Sequence, residues 1–126
     1  MLTTPYMRGA PNWIDLGTPD VEAATAFYGA LFGWERIPAG TNPHGYGFFR
    51  LDGRTVAAVG PLAEEEAGSA WMLYFHTGDA EATAAAVERA GGTVRIAPQD
   101  VGSAGRLAVF TDPAGARFAV WQPGNL

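Results

Sequence analysis

Apolar residues at Val21, Ala24, Phe27, Tyr28, Leu31 and Phe32 recur at the three- and four-residue spacing of a helix laid on a sheet. That spacing predicts a helix from Val21 to Phe32, with Thr18 as N-cap, Pro19 at the first helical position and Gly33 as the stop. A thinner stripe of Ala80, Ala84 and Val87 predicts a second helix from Ala80 to Ala90, ended by Gly91-Gly92 and leaving Glu81, Glu88 and Arg89 for water. The remaining apolar runs are short and bounded by turn residues, as strands are. They are Trp13–Leu16, Trp34–Ile37, Tyr46–Leu51, Thr55–Val59, Trp71–Phe75, Thr93–Ile96, Arg106–Thr111 and Arg117–Gln122. Asp52-Gly53 is a two-residue hairpin signal, and Asp112-Pro113-Ala114-Gly115 marks a longer hairpin loop.

The order of these elements repeats. Thr18-Pro19-Asp20-Val21-Glu22-Ala23 returns as Thr77-Gly78-Asp79-Ala80-Glu81-Ala82, each copy preceded by a strand and followed by a helix and three strands. The fold class is therefore α+β: two βαβββ modules forming curved mixed sheets with a central cavity. Residues 1–126 read as a single domain, with module one at about 10–61, a linker at 62–69 and module two at about 70–124. The run Glu64-Glu65-Glu66 in the linker reads as a solvated loop.

Alternation assigns the strand faces. Ile14 and Leu16 are expected against the first helix, leaving Trp13 and Asp15 in the concavity. In module two, Trp71, Leu73, Phe75, Phe118 and Val120 are expected against the helix, with Met72, Tyr74, His76, Ala119 and Trp121 inward. One of Phe48 and Phe49 is expected to join them, and Phe49 is taken as the lining residue.

Composition narrows the chemistry. Apolar residues make up 48% of the chain and charged ones 17%, enough apolar content to build one core. The absence of cysteine removes disulfides, thiolate metal sites and cysteine nucleophiles. A net charge of -5 disfavours nucleic acid and anionic lipid and leans toward a ligand carrying positive charge. The longest apolar stretch, near Ala70–Phe75, falls far short of the ~20 residues of a spanning helix. Met1–Arg8 lacks the features of a secretory signal, so the expected location is the cytoplasm.

The run from Thr18 to Trp34, with its Ala-x-x-Phe-Tyr-x-x-x-Phe-Gly-Trp core, and the Asp112-Pro-x-Gly115 hairpin resemble the vicinal oxygen chelate superfamily. This is the group of glyoxalase I, bleomycin-resistance proteins and extradiol dioxygenases, and the resemblance covers Trp13 to Pro123. It implies the glyoxalase/bleomycin resistance/dihydroxybiphenyl dioxygenase fold and, in relatives that pair modules between chains, a homodimer. Glyoxalase-like members hold a divalent ion with four inward His, Gln or Glu side chains. Carried over residue by residue, those places are Trp13, Ala57, Met72 and Ala119. Indole and methyl groups offer no lone pair, and a lone thioether is too soft for such an ion. No metal and no cofactor are therefore expected.

Two functional expectations follow. The first is a binding protein whose pocket, lined by Trp13, Asp15, Phe49, Met72, Tyr74 and Trp121, takes a small apolar or aromatic molecule, neutral or cationic, by stacking and burial. The second is a lyase or isomerase of glyoxalase type in which Asp15 works with His76 or Tyr74 in acid-base chemistry. Asp15 reads equally as a carboxylate held by backbone or arginine, and His76 as a strand-end structural histidine. His44 and the segment Gly102–Gly105 read as loops over the pocket mouth.

Overall fold

The structure, a computed structural model, describes residues 7–41, 45–62 and 68–124. Its elements run β1 (Pro11–Gly17), α1 (Val21–Phe32), β2 (Glu35–Pro38), β3 (Gly47–Leu51) and β4 (Arg54–Gly60), then β5 (Ala70–His76), α2 (Ala80–Arg89), β6 (Thr93–Val101), β7 (Gly105–Thr111) and β8 (Arg117–Pro123). This is βαβββ twice, as the repeat predicts. The acidic run Glu64-Glu65-Glu66 and His44 lie outside the described residues. Among the described residues no helix is long and apolar enough to cross a membrane.

Two compact units make up the chain: Ile14–Met72, and the described residues up to Trp13 together with those from Leu73 on. In the first the strands run β2-β3-β4-β1, with β1 parallel to β4 and the other pairs antiparallel. In the second they run β5-β8-β7-β6, with β5 parallel to β8. Asp52 and Gly53 both have positive φ, 52° and 79°, the conformation a two-residue hairpin demands.

The repeated Thr-x-Asp sequence builds a two-step helix entry. Asp20, not the expected Thr18, is the N-cap: its carboxylate accepts from the Ala23 N–H at 3.0 Å, while Thr18 Oγ1 accepts from the Asp20 N–H at 3.1 Å. The second copy repeats this, with Asp79 accepting from Ala82 at 3.0 Å and Thr77 from Asp79 at 3.1 Å. Aspartate wins because it sits three residues before a first-turn N–H that has no helical acceptor, whereas the threonine two residues earlier can only brace it. Gly33 closes α1 in the left-handed conformation at φ 76°.

Packing divides the predicted α1 stripe. Val21 is buried and Ala24 and Tyr28 pack on the core with Leu16, Phe49, Ala57 and Val59, but Phe27, Leu31 and Phe32 stand 59%, 56% and 52% exposed. A stripe that apolar covers more of the helix circumference than one sheet can bury. In the second unit Ala80 packs with Ala108, Phe110 and Val120, flanked by Phe75 and Phe118.

Several strand expectations need correction. Phe49 is fully buried beneath α1 with Ala57, so neither lines an open face. Phe49 stands opposite Ala57 and Phe48 opposite Ala58, and it is Phe48 and Ala58 that share the Asp15 face. Trp71 turns to Tyr28, its indole N–H donating to the phenol oxygen at 3.1 Å, and Leu73 is partly exposed; only Phe75 of that trio joins the second core. β6 runs five residues beyond the expected Ile96, because register shifts between Val94 and Gln99 accommodate Pro98, which has no N–H to donate. Of the expected loop Gly102–Gly105, residues 102–104 form a tight turn closed by Ala104 N–H to Val101 O at 3.0 Å, and Gly105 opens β7.

Candidate functional site

In the first unit, alternation along β1 sends Ile14 and Leu16 to the helix core and Asp15 to the opposite face, where its side chain is buried. Asp15, Ala58 and Phe48 form a row across β1, β4 and β3. The Tyr46 phenol donates to Asp15 Oδ2 at 2.6 Å, a short, charge-assisted bond. Burial, then the Asp15 charge, then the hydrogen bond all raise the Tyr46 pKa above its usual value. Tyr46 is thus a firmly protonated donor and Asp15 its acceptor. Gly60, at the end of β4, makes room for this: a Cβ there would stand 2.5 Å from the Tyr46 ring. Met72, also in this unit, is half-buried.

In the second unit, the face turned away from α2 carries two rows. Tyr74, Ala119 and Val109 lie in register across β5, β8 and β7, and all three are buried. His76, Trp121 and Leu107 form the next row, half-buried. Three of the predicted site residues, Tyr74, His76 and Trp121, therefore share one face. Trp13 is half-buried at the unit's N-terminal segment. The His76 backbone is fixed on both sides, its N–H bonded to Ala10 O and its carbonyl to Gly9 N–H, each at 2.9 Å.

Beside His76 opens a cleft of about 500 Å³ lined by Thr77, Asp100, Ser103, Arg106 and Gln122 among others. Its polar groups are largely engaged already. Gln122 Oε1 accepts from the Ala80 N–H at 2.8 Å, and Arg106 pairs with Glu81 at 2.7 Å and Asp100 at 3.1 Å. The sequence reading missed Tyr46 as the partner of Asp15. Only half of the signal was present: Tyr46 has the parity of Phe48, but its partner lies 31 positions away.

The sequence profile of the Glyoxalase/Bleomycin resistance protein/Dioxygenase superfamily matches residues 10–120. The chain belongs to this superfamily. Among curated relatives, the anthracycline biosynthesis protein DnrV of Streptomyces peucetius is 45% identical over 136 residues, covering 96% of this chain and 50% of its own length. The chain thus spans about half the length of the curated relatives it matches. Among solved structures, methylmalonyl-CoA epimerase of Mycobacterium tuberculosis superposes with TM-score 0.62 at 14% identity, covering 99% of this chain and 94% of that one. The Mn(II)-bound glyoxalase of Novosphingobium aromaticivorans gives 0.60 at 22%, covering 91% and 39%. At these identities the solved structures speak for the fold.

For a glyoxalase-superfamily metal centre the donor set here does not fit. Of the four places the resemblance carries over, Trp13 presents an indole, Met72 a thioether and Ala119 a buried methyl. The fourth, Ala57, faces the α1 core, and its neighbour Ala58, which shares the Asp15 face, is another methyl. Among the described residues no three His, Cys, Asp or Glu side chains cluster as a metal site would require.

Proposed function

We propose that this chain is a metal-independent member of the superfamily that binds a small, flat, apolar or aromatic molecule, with a preference for one bearing positive charge. What supports this reading is that the places the resemblance assigns to ligands hold Trp13, Ala57, Met72 and Ala119, with a further methyl, Ala58, on the Asp15 face. Removing four hard donors leaves surface suited to stacking and apolar burial. Trp121 and Tyr74 supply aromatic faces, and Leu107 and Val109 an aliphatic floor between strands. In the first unit, taken by itself, Asp15 offers a carboxylate whose acceptor geometry is set by Tyr46. The similarity to a protein named for anthracycline biosynthesis supports an aromatic ligand, since an anthracycline is a fused ring system.

The buried Asp15–Tyr46 pair favours one alternative, a glyoxalase-type lyase or isomerase. In that reading Asp15 accepts a substrate proton and Tyr46, rather than His76 or Tyr74, donates the hydrogen bond that holds it.

Titration of chelator-treated protein with proflavine, a planar cation, and with anthraquinone-2-sulfonate, a planar anion, tests the binding reading through tryptophan fluorescence. Saturable quenching by both, tighter for the cation and levelled by Asp15→Asn, supports it. Absence of saturable quenching by either, or quenching that returns only with added metal, contradicts it. Loss of turnover of some substrate in Asp15→Asn with binding retained favours the enzyme.

A further inference from the structure

The cleft of the second unit has a counterpart in the first, and the two are built from different residues. In the first unit Gly17 pairs with Gly60, and the Thr18 N–H bonds to Gly60 O at 3.0 Å. In the second His76 pairs with Trp121, and the Thr77 N–H bonds to Trp121 O at 3.0 Å. By that equivalence Gly17, Pro19, Pro61 and Leu62 correspond to His76, Gly78, Gln122 and Pro123. The first set is apolar, and Leu62 closes over Gly17, its Cδ2 3.4 Å from where a Cβ would stand. The second set lines the cleft of about 500 Å³, at the carboxyl ends of the parallel strands β5 and β8, the kind of crevice where open α/β sheets take ligands. One copy of the module folds without His and Gln at these places, so folding alone does not account for them in the other.

Gly78 is not there for its backbone, which lies outside the left-handed region and matches a proline in the first copy. A Cβ on it would stand 2.5, 2.8 and 2.9 Å from three atoms of the Arg8 guanidinium, so the missing side chain is the seat of Arg8. A turn closed by Ala10 N–H to Met7 O at 3.0 Å carries Arg8, and the two bonds to the His76 backbone tie that turn to the end of β5. Among the described residues Arg8 has no carboxylate partner. The other guanidinium at the cleft, Arg106, already holds Glu81 and Asp100. The start of α2 is also occupied, by Gln122 Oε1 on the Ala80 N–H and Asp79 on the Ala82 N–H. What remains open is a set of donors: the Arg8 guanidinium, the Gln122 side-chain NH2 and the exposed Ser103 hydroxyl. Ser103 sits on a fixed wall, because Gly124 N–H bonds to Ala104 O at 2.8 Å.

We propose that this cleft is a second binding site, separate from the aromatic face, that takes the carboxylate or phosphate group of a small polar molecule. Donors without acceptors suit an oxyanion, and a guanidinium meets one through two parallel N–H bonds. The volume, about 500 Å³, falls within the roughly 300–1,000 Å³ of small-molecule sites and has room for the body of a ligand as well as its anionic end. A chain of net charge -5 repels anions in general, so retention here depends on a group that meets several of these donors at once. A bare halide does not.

Nitrogen-15 NMR titration of the full chain with inorganic phosphate and, in parallel, acetate tests the proposal, at constant ionic strength and with chloride as the reference. Saturable shifts of the Gly78 N–H and the Gln122 side-chain amide are expected with at least one of the two oxyanions, and the tighter one names the group. Arg8→Gln, at an exposed position, and Gly78→Pro, the residue of the first copy, are each expected to weaken binding about tenfold. Gln122→Glu keeps an acceptor for the Ala80 N–H but replaces the donor with a charge, and is expected to abolish saturation. Shifts no larger than those with chloride for both oxyanions, or saturation unchanged in Arg8→Gln and Gln122→Glu, overturns it.

Discussion

The Tyr46 phenol donates to Asp15 Oδ2 across 2.6 Å, tying the residue before β3 to the middle of β1 in the first unit. Both groups change character through the pairing. The carboxylate is buried with a strong donor on it, and the phenol cannot ionise without placing a second negative charge beside the first.

Replacing Tyr46 by Phe removes the donor and leaves the buried carboxylate short of one hydrogen bond. The expected loss is about 1–3 kcal/mol of stability, read by urea denaturation. A change within error would show that solvent replaces the phenol and that the bond is incidental.

Alkaline pH acts on the same pair. Below about pH 10, the ordinary tyrosine value, folded and unfolded chains both hold the phenolic proton. Above it the unfolded chain releases the proton while the folded chain keeps it on Tyr46, whose pKa is raised, so stability falls as pH climbs. Denaturation midpoints followed through this range are expected to drop more steeply for wild type than for Tyr46→Phe. Parallel curves would count against the raised pKa.

Gly60 is the seat of the Tyr46 ring. A Cβ there would stand 2.5 Å from ring atom Cδ2, so Gly60→Ala is expected to displace the ring and break its bond to Asp15, at a cost of about 1–3 kcal/mol. Ultraviolet titration would then find Tyr46 ionising near the usual tyrosine value. A variant whose tyrosine titration matches wild type would contradict the packing described.

At the second unit's cleft, two polar contacts of similar length are expected to differ in worth. Gln122→Leu strips the acceptor from the Ala80 N–H at the start of α2 and is expected to cost about 1 kcal/mol or more. Arg106→Met loses ion pairs whose partners, Glu81 and Asp100, are 65% and 77% exposed, and is expected to change stability by less than about 1 kcal/mol. Thermal unfolding of the two variants side by side checks the order, and a larger loss for Arg106→Met would reverse it.

The fold was legible because its cues are local. The Thr-x-Asp repeat, Gly33 and Asp52-Gly53 each specify backbone geometry within a few residues, and the structure honours all three. What was not legible depended on partners distant in sequence. Phe48 and Phe49 are consecutive and equally apolar, so only the pairing of Phe49 with Ala57 on the α1 side decides which is core. The same register moves the relevant methyl from Ala57 to Ala58. Tyr46 was read as strand, and its bond to Asp15 spans 31 positions, beyond any periodicity. The α1 stripe was counted correctly as apolar, but a count cannot tell a sheet-facing Tyr28 from an outward Phe27 when both sides of a helix are apolar.

Whether the chain has abandoned the metal chemistry of its superfamily is open to one direct measurement. Chelator-stripped protein, dialysed to equilibrium against manganese, nickel, zinc and ferrous ion in turn, is analysed for metal per chain. The donor set of Trp13, Met72, Ala58 and Ala119 predicts only trace uptake of every ion and no change in unfolding temperature. Uptake of one equivalent of any of them, with a matching rise in unfolding temperature, would contradict the account.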